Sequence, residues 1–186
     1  GNSLHPQTAG EMTGFLFWMM FQGDLNCRDK MKIGLSSYTY TWAVGVPGSM
    51  PGSTLSPIDL VDKAVSYNLG VIQIADNLPL EMLSEQQKDD LKKYAERKGI
   101  SIEMGGRGLT PEHTMDCLNT AKHLNSSILR MVIDAPGFEP DLQTIISVIR
   151  ELIPELNSRN IRLAIENHDR LKAREFEKII LAAGSD

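Results

Sequence analysis

The chain has 186 residues, and its 19 Lys and Arg against 24 Asp and Glu give a formal charge of −5, with a pI near 5.4. That length suits one domain with a single core, and 41% hydrophobic with 23% charged residues argues against disordered, collagenous and membrane-bundle classes. No Lys/Arg cluster offsets the acidic balance, so the footprint of a nucleic-acid binder is missing, and Cys27 and Cys117 lie far apart without CxxC spacing, which points to a reducing cytoplasm rather than a disulfide or zinc framework.

Residues 1–30 stand apart from the rest. Their apolar run Phe15–Phe21 is far short of the roughly 18 residues that a spanning helix needs. No Lys or Arg precedes it in residues 1–12, and Gln22-Gly23-Asp24 is not a signal-peptide cleavage site. Neither membrane insertion nor secretion is expected. Two readings of the segment stay open. Gly1 looks like a tag-cleavage remnant, with Met31 a natural start before the first strand and the segment itself tag or upstream translation. Alternatively a helix at about Glu11–Phe21 caps apolar surface.

From Met31 to Asp186 short apolar runs rich in β-branched residues alternate with longer stretches of helical period. They predict strands at Lys32–Ser37, Val71–Ala75, Ser101–Gly105, Ile128–Asp134 and Arg162–Asn167, each followed by a helix. Ser56-Pro57-Ile58-Asp59 and Thr110-Pro111-Glu112 combine a capping hydroxyl, a proline at the first helical position and an acidic first turn. Ser84-Glu85-Gln86-Gln87 has capping-box spacing, and Gly99 supplies a left-handed stop. Leu142, Ile145, Ile146, Ile149, Leu152, Ile153 and Leu156 form an apolar stripe at helical period, with a kink expected at Pro154. In the last helix Phe176, Ile179, Ile180 and Ala183 are the residues to bury.

Strand and helix alternating at short range means parallel pairing through right-handed crossovers. Strand starts at 32, 71, 101, 128 and 162 give steps of 39, 30, 27 and 34, close to the roughly 31 residues per unit of an eight-unit barrel of about 250 residues. The fold class is therefore α/β, with five of the eight (βα) units of a TIM barrel in an open, partial barrel. A doubly wound sheet would place a glycine-rich phosphate turn after the first strand, but Ser36–Trp42 stands there. An open edge of apolar strand invites pairing, so a partner chain, as in a homo-oligomer, or the N-terminal segment is expected to cover it.

Ligands of parallel α/β folds sit at the carboxyl ends of the strands. Gln73, Glu103, Arg130 and Glu166 each interrupt an apolar run, and a buried unpaired charge costs several kcal/mol, so each must meet a partner, a metal or a substrate. Arg130 pairing with Glu103 or Glu166 is the internal alternative. Period-two alternation turns Glu166 and His168 to one side, where they make half of a divalent-metal site; Asp76, Asp134 and Glu103 are the candidates to complete it. His113 and His123 read as solvated positions of one helix. Gly105-Gly106-Arg107-Gly108 reads as a short turn that either brings the Arg107 guanidinium to a ligand or is merely flexible.

Met31–Trp42, Val71–Pro79 and above all Leu163-Ala-Ile-Glu-Asn-His-Asp-Arg170 resemble the xylose isomerase-like TIM barrels, a superfamily of sugar isomerases, ketose epimerases and the second family of apurinic endonucleases. The likeness covers residues 31–186. It implies that Glu166 binds a divalent cation, Mn²⁺ or Mg²⁺, and acts in catalysis with His168. Gln73, Glu103, Arg107, Arg130 and Asn167 would line the substrate cavity. The family completes its metal site with an aspartate, a histidine and a second glutamate from strands six to eight, which this sequence does not reach. A complete protein is expected to isomerise or epimerise a sugar by proton transfer next to a carbonyl, and this chain alone to be inactive and to bind the cation weakly. A lyase or decarboxylase acting on a sugar acid, with Arg130 or Arg107 on the carboxylate, and a silent self-associating fragment are the alternatives. An endonuclease fits poorly with one strand-end histidine and a net charge of −5.

Overall fold

The computed structural model describes residues 32–46, 48–166 and 170–184. The chain runs β1 (Gly34–Ser36), a 3-10 turn (Ser37–Tyr40), α1 (Thr41–Val44), α2 (Pro57–Ser66), β2 (Val71–Ile74), a second 3-10 turn (Leu80–Met82) and α3 (Glu85–Lys98). It continues through β3 (Ser101–Arg107), α4 (Pro111–His123), β4 (Ile128–Val132), α5 (Leu142–Arg159), β5 (Arg162–Glu166) and α6 (Ala173–Ala183). The strands form one sheet in the order β1-β2-β3-β4-β5, and every pair is parallel. β1 and β5 each have one edge without a strand partner among the described residues. No described helix is long and apolar enough to cross a membrane.

The helix signals act locally as their chemistry dictates. Ser56 accepts from the Asp59 amide while Asp59 accepts from the Ser56 amide, and Ser84 with Gln87 repeats the exchange, so both capping boxes close. Thr110 caps α4 ahead of Pro111, and Gly99 ends α3 at φ 68°, a conformation nearly free of penalty for glycine. Pro154 does not end α5, which runs on to Arg159. Arg150 and Pro154 both lie on the exposed side of that helix, so the carbonyl that loses its N–H partner is free to meet water. Ile180 is half-buried, whereas Phe176, Ile179 and Ala183 are buried as expected.

The helices cover one face of the sheet. Ile72, Ile74, Met104, Leu129, Met131 and Leu163 project toward them and form the core with Leu60, Val61, Leu91, Leu118, Ile145 and Leu152, each full burial contributing about 1.5–3 kcal/mol.

Strand limits depart from the sequence expectation in four strands. β1 is only Gly34–Ser36, because the Ser36 hydroxyl accepts from the Tyr38 amide and starts the 3-10 turn. β2 and β4 stop one and two residues early, at Ile74 and Val132. β3 extends to Arg107, so the expected Gly105-Gly106-Arg107-Gly108 turn is corrected: Gly105, Gly106 and Arg107 pair in register with Arg130, Met131 and Val132. The glycines are there for space on the two faces. A Cβ on Gly105 would stand 3.1 Å from Arg130 Nη2, and one on Gly106 would stand 2.8 Å from Met131 Sδ and 3.0 Å from Cys117 Sγ.

Candidate active site

Successive residues of a strand point to opposite faces, and the register fixes which polar residues share one. Gln73 lies opposite Glu103, Gly105 opposite Arg130, and Val132 opposite Glu166. Together with Arg107 they occupy the sheet face turned away from the helices. That face carries the polar residues in two groups.

Gln73 Nε2 donates to Glu103 Oε2 at 3.3 Å near the middle of β2 and β3. Burial pushes the Glu103 carboxyl above its ordinary value, against the hydrogen bond from Gln73 and the more distant charges of Arg162 and Lys32.

The second group sits at the carboxyl ends of the strands. Arg130, only 5% exposed, lies over Gly105, contacts Glu166 through Nη1 and brings Nη2 to 4.0 Å from Asp76 Oδ1. Burial lowers its pKa, and the charges of Asp76 and Tyr38 oppose that. Arg107 Nε donates to Asp76 Oδ2 at 2.9 Å and the Tyr38 hydroxyl donates to the same oxygen at 3.0 Å. Burial pulls Arg107 down, but the bond to Asp76 and its charge outweigh it and leave the guanidinium above its usual value. The Tyr38 phenol is raised by burial and then by Asp76. Ser37, fully buried, donates to Asn77 Oδ1 at 2.6 Å and accepts from the Ala75 amide at 3.0 Å, tying the end of β1 to that of β2. Apart from Glu166 Oε2, which meets Arg130 as an ion pair, three buried polar atoms in this region have no hydrogen-bond partner among the described residues: Asp76 Oδ1, Asn77 Nδ2 and Arg130 Nε.

The sequence-predicted site therefore divides. Of the pairings foreseen for Arg130, the one with Glu166 forms and the one with Glu103 does not, because Gly105 opens a path over the sheet and Glu103, one register step back, is held by Gln73. Asp76, Asp134 and Glu103 do not complete a ligand set around Glu166. Asp76 is engaged by Arg107 and Tyr38, Asp134 takes Arg170 in a bidentate pair at 2.6–3.0 Å, and Glu103 is bound to Gln73. Asn167 and His168 lie outside the described residues. Sequence reasoning missed Ser37, Tyr38 and Asn77, whose signal was their place just past the ends of β1 and β2.

The two helical histidines also part. His123 bridges Glu85 at 3.2 Å and Asp89 at 2.7 Å on the surface between α3 and α4, close to the expected solvated role. His113 is likewise half-buried, but its Nε2 lies 3.7 Å from Cys117 Sγ. Burial, with the charges of Glu81 and Asp116, pushes that thiol up to about 12, so it is no nucleophile at neutral pH.

D-psicose 3-epimerase from Clostridium cellulolyticum H10 superposes on 82% of this chain and 60% of its own at a TM-score of 0.63 and 16% identity. A xylose isomerase domain protein from Alicyclobacillus acidocaldarius matches 84% of this chain and 61% of its own, at a TM-score of 0.54 and 14% identity. The chain carries the xylose isomerase-like TIM-barrel fold. Its five parallel strands are neighbouring units of that barrel, and Asp76, Arg107 and Glu166 stand at the strand ends where barrels of this kind place their sites. In sequence, 155 residues are 28% identical to the 3-oxo-isoapionate decarboxylase of Pectobacterium atrosepticum, over 83% of this chain and 55% of that protein. The chain thus spans about half the length of the curated relative it matches. No protein-family model matches it.

Proposed function

We propose that the uncovered sheet face binds a sugar-like substrate at its carbonyl and hydroxyl groups, and that the whole enzyme isomerises or epimerises it by proton transfer next to the carbonyl. The observation that carries this reading is the set of unpartnered atoms at the strand ends. Arg130 Nε and Asn77 Nδ2 are donors and Asp76 Oδ1 is an acceptor, and a polyol, whose hydroxyls both donate and accept, satisfies all three. The charges favour a neutral ligand, since Arg107 and Arg130 are already matched by Asp76 and Glu166. In this reading Arg107, Arg130 and Asn167 hold hydroxyls, and Gln73 and Glu103 line the deeper part of the face. Glu166 moves the proton, with His168 beside it.

A divalent cation, Mn²⁺ or Mg²⁺, belongs to the same reading and would polarise the carbonyl. Glu166 is the donor that the described residues would contribute. Arg130 lies against it, and a group of three metal-ligating side chains among the described residues occurs elsewhere, at Glu81, His113 and Cys117. The residues described here do not make a coordination sphere around Glu166, and the chain alone should bind Mn²⁺ weakly.

The 28% identity to a decarboxylase over 83% of the chain favours a second reading, loss of CO₂ from a 3-oxo sugar acid, in which Arg107 or Arg130 leaves its carboxylate partner for that of the substrate. One assay separates the two. A version of the protein extended to the length of its relatives is incubated in D₂O with ketohexoses and, separately, with 3-oxo sugar acids. Deuterium gained next to the ketose carbonyl and lost in Glu166→Gln supports the isomerase. CO₂ release abolished by Arg107→Ala supports the decarboxylase, and neither product from any substrate sinks both.

A further inference from the structure

A second concentration of metal-ligating groups lies on the helix-covered side of the sheet. His113 and Cys117 are four residues apart on α4 and so share one face, and Glu81 comes from the 3-10 turn Leu80–Met82 that packs against that helix. One ligand atom from each of the three lies within 4.8 Å of the others. His113 Nε2 and Cys117 Sγ are 3.7 Å apart, near the roughly 3.5 Å edge that zinc bonds of about 2.0 and 2.3 Å make at the tetrahedral angle.

One further observation points to a cation, and another accounts for the placing of the sulfur. Glu81 Oε2 is buried without a hydrogen-bond partner, a costly state for a carboxylate oxygen unless a donor or a cation answers it. Gly106 leaves the room that the Cys117 sulfur occupies, since a Cβ there would stand 3.0 Å from it. The donor set selects the metal: a thiolate and an imidazole with one carboxylate suit zinc and are poor ligands for Mg²⁺ or Mn²⁺.

We propose that Glu81, His113 and Cys117 form a zinc site that clamps the turn after β2 onto α4, with solvent in the fourth position. Glu81 and His113 are half-exposed and leave a way in, whereas Cys117 is fully buried. The site is separate from the substrate face. Cys117 packs against Gly106, and Arg130 packs against Gly105, on the opposite side of the same strand. It stands or falls independently of the isomerase reading.

The test is a Co²⁺ titration of the full chain freed of metal with a chelator. The expected spectrum has a thiolate-to-cobalt charge-transfer band and the visible bands of tetrahedral cobalt, and Zn²⁺ displaces both. Cys117→Ser removes the charge-transfer band. Glu81→Gln and His113→Gln each weaken zinc binding by more than the roughly 10–100-fold that loss of an outer-shell partner costs, and Glu166→Gln leaves it unchanged. Because a substitution at buried Cys117 can unfold the chain, a second readout uses the half-exposed Glu81. Zinc should raise the melting temperature of the parent and not that of Glu81→Gln. No charge-transfer band in the parent, or zinc affinity unaltered in Glu81→Gln and His113→Gln, overturns the proposal, as does loss of zinc binding in Glu166→Gln.

Discussion

The two faces of the sheet come from alternate residues of the same five strands, yet they differ in kind. Toward the helices, Ile72, Ile74, Met104, Leu129, Met131 and Leu163 are buried and apolar. On the other side, Gln73, Glu103, Arg107, Arg130 and Glu166 stand at the alternating positions. Parallel strands covered on both faces read as continuous apolar runs, so the polar face departs from what stability alone favours. Its groups pair with each other only in part and leave three buried atoms without partners. One face holds the fold together, and the other is the one that, in the function proposed above, takes the ligand.

The comparison breaks most sharply if the covered face proves dispensable. Leu129→Ala, at a fully buried core position, is expected to cost about 2–5 kcal/mol in urea unfolding. A loss below that range would mean that the core is looser than its burial implies. Adjacent glycines sharpen the contrast. Gly106→Ala drives a methyl to 2.8 Å from Met131 Sδ and 3.0 Å from Cys117 Sγ, an overpacking expected to cost about 1–3 kcal/mol. Gly105→Ala meets the buried Arg130 guanidinium at 3.1 Å and the Ala75 backbone at 3.2 Å, so it too is expected to cost about 1–3 kcal/mol, while displacing the guanidinium and weakening ligand binding. Ligand binding lost in Gly106→Ala and kept in Gly105→Ala would remove the distinction between the faces.

Arg130→Met leaves the Glu166 carboxylate without its cation and is expected to cost about 1–3 kcal/mol. The double variant Arg130→Met with Glu166→Met should recover most of that loss, since an apolar pair often replaces a buried ion pair without penalty. Recovered stability with lost ligand binding, measured by unfolding and calorimetry on the same samples, is the pattern a functional face requires.

The smallest effect is the most specific in pH. Burial raises the Glu103 carboxyl, so the folded state binds this proton more readily than the unfolded one. Its contribution to stability is fullest below the unfolded value of roughly 4.3 and is lost as pH rises through the higher folded value. Glu103→Gln should therefore match the parent in acid and exceed it above that window, by less than about 1 kcal/mol because the group is half-exposed. A parent that gains stability on the variant as pH rises would reverse the assignment.

Much of the fold was legible in the sequence because its signals are local. The serine, threonine and glycine residues that start and stop α2, α3 and α4 act within four residues of themselves, and Ser56, Ser84, Thr110 and Gly99 do in the structure what their spacing predicts. The apolar runs gave the strands to within a residue or two at most ends. Gly105 and Gly106 misled, because glycine marks a turn by its freedom and a strand by its lack of a side chain, and only the neighbours Arg130, Met131 and Cys117 decide between them.

The sequence by itself determined the succession of βα units and the presence of polar residues on strands that should be apolar, since both are written in periodicity along the chain. Only the tertiary structure decided which of those residues meet. Arg130 found Glu166 and Asp76 rather than Glu103, Asp134 was taken by Arg170, and His113 was drawn in beside Cys117 and Glu81. Residues tens of positions apart become neighbours through strand register and the crossing of helices over the sheet, and no pattern within a short window carries that register.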